Sequence, residues 1–174
     1  MPRIALLLAL FSLAACNADK AAPQAPAPTP AAATTPLQAQ LRQYETDARA
    51  CVAAVREAAL PQAQACARQL LELAAAMTPA YTARKPECKA YLEATLAIRE
   101  AWPELSPETI ERDYHHDGAL PASEATAVCY HMKDLIVHPA TALRLLSLPE
   151  PGRQQAAREL EEVVAHAGVV ASGL

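Results

Sequence analysis

The stretch that decides the fold runs from Pro36 to Met77: PLQAQLRQYETDARACVAAVREAALPQAQACARQLLELAAAM. Leu37, Leu41, Tyr44, Ala48, Cys51 with Val52, Val55 and Ala59 recur at three- and four-residue steps. That period belongs to an amphipathic helix with one buried face. Thr35 suits its N-cap and Pro36 its first helical position, where a missing N–H costs nothing. Pro61 breaks the pattern, and Cys66, Leu70, Leu73 and Met77 start it again. Two helices separated by so short a break fold back as an antiparallel hairpin.

Outward from this hairpin the punctuation is proline. Thr78-Pro79 opens a short segment through Tyr81. Pro86 restarts the chain, and Cys88, Tyr91, Thr95, Ile98 and Trp102 give a third helix. Ser106-Pro107 is a cap and first-turn pair for a short helix to about Tyr114, followed by a turn at His115-His116-Asp117-Gly118. A fourth helix spans about Pro121 to His138, with Val128, Met132, Leu135 and Ile136 inward. Pro139 should kink or end it. A short helix over Ala140 to Leu148 and a Pro149–Gly152 loop precede a last helix with Ala156, Leu160, Val163, Ala167 and Val170 on one face. Ala makes up 42 of the 174 residues, and aromatic residues only 4%. Ala is the best helix former, whereas strands favour β-branched and aromatic residues. The expected fold is therefore all-α: a disulfide-stapled bundle of four main helices plus short ones, over residues 37–174.

Cys51 and Cys66 flank the Leu60-Pro61 turn, with their midpoint one or two residues before it, which sets them at similar heights on facing helices. Cys88 at the start of helix three is left to pair with Cys129 on helix four. An even set of Cys in an exported chain reads as disulfides. No C-x-x-C or C-x-x-C-H is present, and the spacings do not suit a zinc ribbon.

Export is written in the first residues. Arg3 precedes an apolar run of ten, Ile4 to Leu13, too short to span a bilayer but right for a signal peptide. Leu13-Ala14-Ala15-Cys16 resembles the lipobox of bacterial lipoproteins. The resemblance covers residues 1–16 and implies cleavage before Cys16, whose sulfur then carries a diacylglycerol and whose amine is acylated. Two or three acyl chains suffice for stable anchoring. Asn17 is not the Asp that retains such proteins at the inner membrane, so the resemblance implies the outer membrane, with the domain facing the periplasm. Residues 16–36 hold the lipidated Cys and an Ala/Pro-rich tether. Its five prolines keep it extended, reaching roughly 60 Å at about 3.1 Å per residue. The chain's net charge of −4 speaks against nucleic acid as a partner.

All five histidines lie in the last sixty residues. His131, Asp134 and His138 are spaced i, i+3, i+7, a vertical stripe on helix four. Imidazole nitrogen and carboxylate oxygen at this spacing suit zinc or copper, with His115, His116 or Asp117 completing the set. The plain alternative is a solvated flank on which Asp134 pairs with His138. Glu159, Glu161 and Glu162 read as another solvated face. Trp102 reads either as core or as an exposed anchor for a partner. His115 to Asp117 could carry a His–Asp pair of a hydrolase, but no nucleophile elbow, HExxH, SxxK or phosphate loop accompanies it.

Three functional expectations follow. The first is an outer-membrane-anchored protein-binding or accessory module of the cell envelope, without enzyme activity or cofactor; an immunity or inhibitor protein against a periplasmic toxin or hydrolase is a variant of it. The second is a periplasmic zinc- or copper-binding protein. The third is a hydrolase around His115 to Asp117. An exposed apolar patch would mark the first, three ligands near one point the second, and a pocket enclosing a His–carboxylate pair the third.

Overall fold

The computed structural model describes residues 35–121 and 127–174. The expected signal peptide, Cys16 and the expected tether up to residue 34, like Ser123 and Glu124, lie outside the described residues. Among the described residues there is no strand. Six α-helices run α1 Pro36–Glu57, α2 Leu60–Thr82, α3 Lys89–Ala97, α4 Pro107–Ile110, α5 Ala127–Leu146 and α6 Arg153–Ser172. The four long ones form a closed ring: α1 packs on α2 and α6, and α5 packs on α2 and α6. α3 and α4 lie against α5.

On α1 the expected face is buried as far as Val55, while Ala59, its last expected position, lies beyond the helix and is exposed. Leu37, Leu41, Tyr44, Ala48, Cys51 and Val55 of α1 are buried, as are Ala156, Leu160, Val163, Ala167 and Val170 of α6. Thr35 caps α1 in a reciprocal capping box with Gln38, and Pro36 fills the first helical position. On α2 the buried stripe is Ala63, Ala67, Leu70, Ala74, Met77 and Tyr81, one residue round from the expected face, leaving Cys66 and Leu73 half-buried. The small Ala63, Ala67 and Ala74 bring α2 close to its neighbours.

Both disulfides form as expected. Cys51 and Cys66 join α1 to α2 at a Cα separation of 5.6 Å. Cys88 and Cys129 tie the start of α3 to α5 at 5.3 Å.

Three expectations are corrected. Pro79 lies inside α2, which continues to Thr82. Pro139 neither ends nor splits the fourth helix, since α5 continues to Leu146. A mid-helix proline leaves the carbonyl four residues back without a donor. Here that carbonyl is Leu135's, and the buried Tyr44 hydroxyl of α1 donates to it at 2.6 Å. The orphaned acceptor becomes a tie between two helices. Helix three is shorter than its pattern, ending at Ala97, and Trp102 opens a separate 3-10 turn, Trp102–Glu104. Pro103 in a continued helix would have orphaned the Arg99 carbonyl in the same way.

Side chains close the helix ends. Arg153 donates to the Val55 carbonyl near the end of α1 at 2.7 Å, and Gln64 to the Leu146 carbonyl at the end of α5 at 2.9 Å.

Candidate metal centre between the fourth and last long helices

α5 and α6 are antiparallel, joined by a short loop. Each carries polar residues at i, i+3, i+7: His131, Asp134, His138 on α5 and Glu159, Glu162, His166 on α6. Antiparallel register places His131 against His166, and His138 against Glu159. The His131 and His166 Nδ1 atoms are 2.6 Å apart, and His138 Nδ1 is 2.8 Å from a Glu159 carboxylate oxygen.

The middle of this seam is buried. Asp134 is 0% and His138 2% exposed, so the solvated-flank reading of this stripe is corrected. Both oxygens of Asp134 and Nε2 of His138 are buried without a hydrogen-bond partner. His166 Nε2 lies 3.6 Å from an Asp134 oxygen, and Glu162 lies 3.5 Å from His138 Nε2. Asp134, His138 and His166 each offer one ligand atom within 4.8 Å of the others. His131 is not one of the three; its ring stands behind His166, which takes the place the sequence reading gave it.

The electrostatics follow from burial. Loss of water raises the Asp134 carboxyl above its ordinary range, against the pull of Lys133 and the histidines. Burial pushes His138 down, yet the Glu159 hydrogen bond and the charges of Asp134, Glu159 and Glu162 carry it above the usual imidazole value. His166 goes the other way, to about 4, through burial and then the positive charges of His138, His131, His115 and Lys133.

Lys133, also 0% exposed, is the centre's counter-charge. Its ammonium lies 2.9 Å from Asp117, 3.3 Å from Asp134 and 4.3 Å from the centre of the Tyr130 ring, and it donates to the His115 carbonyl at 2.5 Å. Tyr91 also donates to Asp117, at 2.6 Å. Asp117 is thus held by Tyr91 and Lys133 rather than by an imidazole, which corrects the expected His–Asp pair. Its φ of 62° is left-handed, and Gly118 follows because a Cβ there would stand 2.7 Å from the Arg112 carbonyl oxygen. This turn fixes where His115 enters the seam. The His115 ring centre lies 4.8 Å from that of His138, and His115, His138 and Glu162 form a second group with converging ligand atoms. His116 does not reach the seam; it pairs with Glu111 outside it.

Trp102 is 2% exposed and its ring centre lies 5.2 Å from that of Tyr114, so the exposed-anchor reading is corrected in favour of core. Glu159 and Glu162 belong to the histidine seam rather than to a purely solvated face, while Glu161 pairs with Arg56.

Sequence reasoning missed Glu159, Glu162, His166 and Lys133. The signal was the repeated i, i+3, i+7 spacing on two helices joined by a short loop. Lys133 carried none, because nothing in its spacing marks a buried lysine. No family model, no curated protein and no solved structure matches the chain.

Proposed function

We propose that this chain binds a divalent transition metal, zinc or copper, at Asp134, His138 and His166. The observation that carries the reading is the coincidence of two facts: three ligand-type side chains converge within 4.8 Å, and the polar atoms left without partners in the seam belong to two of them. Buried polar groups are costly unless something satisfies them. A tetrahedral ion with bonds of about 2.0–2.2 Å wants ligand atoms about 3.4 Å apart, and Asp134 to His166 is already near that. Glu159 supports the site from outside. Holding Nδ1 of His138, it leaves Nε2 for the metal, the usual role of a carboxylate behind a ligating imidazole. Two nitrogens and one oxygen suit zinc or copper(II), with copper the tighter by intrinsic order.

Less supports the accessory-module reading. Among the described residues Val169 is the one large apolar side chain recorded as exposed, and a docking surface would need a contiguous patch. The lipid anchor at Cys16, outer-membrane attachment and a periplasmic domain complete the proposal, resting on the Leu13-Ala14-Ala15-Cys16 motif. Metabolic labelling with a clickable palmitate should mark the protein and fail with Cys16→Ala.

Calorimetry of the full chain in detergent with zinc and copper(II) tests the metal. The expected dissociation constant is below about 10 μM, weakened about a hundredfold or more by His138→Ala. Wild-type binding no tighter than 10 μM, or unchanged affinity in the variant, removes the reading.

A further inference from the structure

The segment before Asp117 carries a second set of ligands that the buried centre does not use. Residues Glu111–His115 form a turn of π-helix, and the His116 amide bonds the Glu111 carbonyl at 2.9 Å. Bonding from i to i+5 widens the turn and carries residue i+5 back over residue i, and such turns recur at functional sites. In an α-helix His116 would point well away from Glu111. Here His115 Nδ1 and His116 Nε2 meet the same Glu111 oxygen, at 3.1 and 3.0 Å. The three ligand atoms lie within 4.8 Å of one another.

We propose that Glu111, His115 and His116 form a second, solvent-facing site for a divalent transition metal, which captures the ion that the buried centre then holds. The proposal rests on the reading of Asp134, His138 and His166 as that centre. His115 links the two. Its ring centre is 4.8 Å from His116 on the outside and 4.8 Å from His138 on the inside. It also belongs to an inner ligand group, with His138 and Glu162. Exposure falls in order along the route: the side chain of His116 is 66% exposed, His115 16% and His138 2%. The turn is anchored rather than loose, since buried Lys133 donates to the His115 carbonyl. A shallow, two-imidazole, one-carboxylate site exchanges quickly with water, whereas a buried one exchanges slowly. An ion entering the seam meets the outer ligands first.

The test titrates the full chain in detergent with zinc, following a chromophoric zinc chelator at equilibrium and in stopped flow. Wild type should bind two ions, one tight and one weaker. Glu111→Gln with His116→Gln, both at exposed positions, should abolish the weaker phase and slow filling of the tight one about tenfold. His138→Ala with His166→Ala should abolish the tight phase and keep the weaker. A single tight phase in wild type, a weaker phase surviving Glu111→Gln/His116→Gln, or unchanged filling in that variant each overturns the outer site. A wild type that shows only the weaker phase overturns the buried centre instead, so the two failures are told apart.

Discussion

The molecule contains two long helical hairpins held by opposite means. α1 and α2 meet along an alanine- and leucine-rich seam and are stapled by Cys51–Cys66. α5 and α6 meet partly along imidazoles and carboxylates, with Lys133 and Asp134 each 0% exposed. In the first hairpin each buried group gains by leaving water. In the second, charges leave water and regain only what their partners return, so such a seam is weak evidence for stability. The first hairpin closes on itself with apolar surface and a crosslink, whereas the second sets buried ionisable groups among its apolar residues. The proposed metal centre would account for that contrast, since its ligands are kept in the second hairpin at a cost in stability.

The strongest way to break the comparison is Lys133→Met. It takes from Asp134 the ammonium 3.3 Å away and removes one of the two donors to Asp117. Stripping one partner from a buried ion pair costs about 3–5 kcal/mol. Denaturant unfolding of the metal-free protein should show a loss of that size. Saturating zinc should return part of it, since a bound ion at a hundred times its dissociation constant adds about 2.7 kcal/mol. A loss below about 1 kcal/mol would mean that the seam is not the electrostatic liability described here.

The crosslinks come next. Replacing both cysteines of a bridge by Ala frees the unfolded chain. On loop length alone, the 41-residue Cys88–Cys129 loop should be worth about 4 kcal/mol and the 15-residue Cys51–Cys66 loop about 3. Guanidinium midpoints of the two variants should fall in that order. The reverse order would place the greater constraint in the first hairpin and sharpen its contrast with the second.

Tyr44→Phe probes the tie between the two hairpins. Without the hydroxyl, the Leu135 carbonyl freed by Pro139 is buried with no donor, at a cost of about 1–3 kcal/mol. Adding Pro139→Ala restores a backbone N–H at that position and should recover most of the loss. No recovery would show that Tyr44 acts through packing.

How much of this was legible in the sequence divides along the same line. Periodicity marked the buried faces of α1 and α6, because apolar burial leaves a repeat. The Cys51–Cys66 pairing was legible because the midpoint of the two falls just before Pro61, at the break between α1 and α2. Local rules failed where a distant side chain compensated. Pro139 reads as a helix end until Tyr44 is known to cover Leu135. The polar seam was half legible. His131, Asp134 and His138 stood out on one helix, but their partners are recognised only when α6 is read backwards against α5, and His166 then displaces His131. The π-turn left no mark, since Glu111, His115 and His116 share a face only once i to i+5 bonding has formed.

The smallest effect is the pH response of the seam without metal, and its sign is set by His166. Its folded pKa is about 4, against an unfolded value near 6.5. Between these the unfolded chain binds the extra proton, so this residue's contribution is full above pH 6.5 and is lost as pH falls towards 4. His138 and Asp134, both raised in the fold, act oppositely: their contributions are full at low pH and fade as pH rises through their folded values. A single melting curve mixes the three. Comparing wild type with His166→Gln isolates the first, because the variant keeps the other two. The difference in Tm should move against wild type by a few degrees between pH 6.5 and 4. Burial supplies the larger part of the reason and the neighbouring charges of His138 and His131 the rest, His131 through a 2.6 Å Nδ1–Nδ1 contact at which both nitrogens cannot carry protons. A flat difference would mean that water reaches His166 and screens it, and the seam would then be wetter than the apolar hairpin opposite by more than its burial implies.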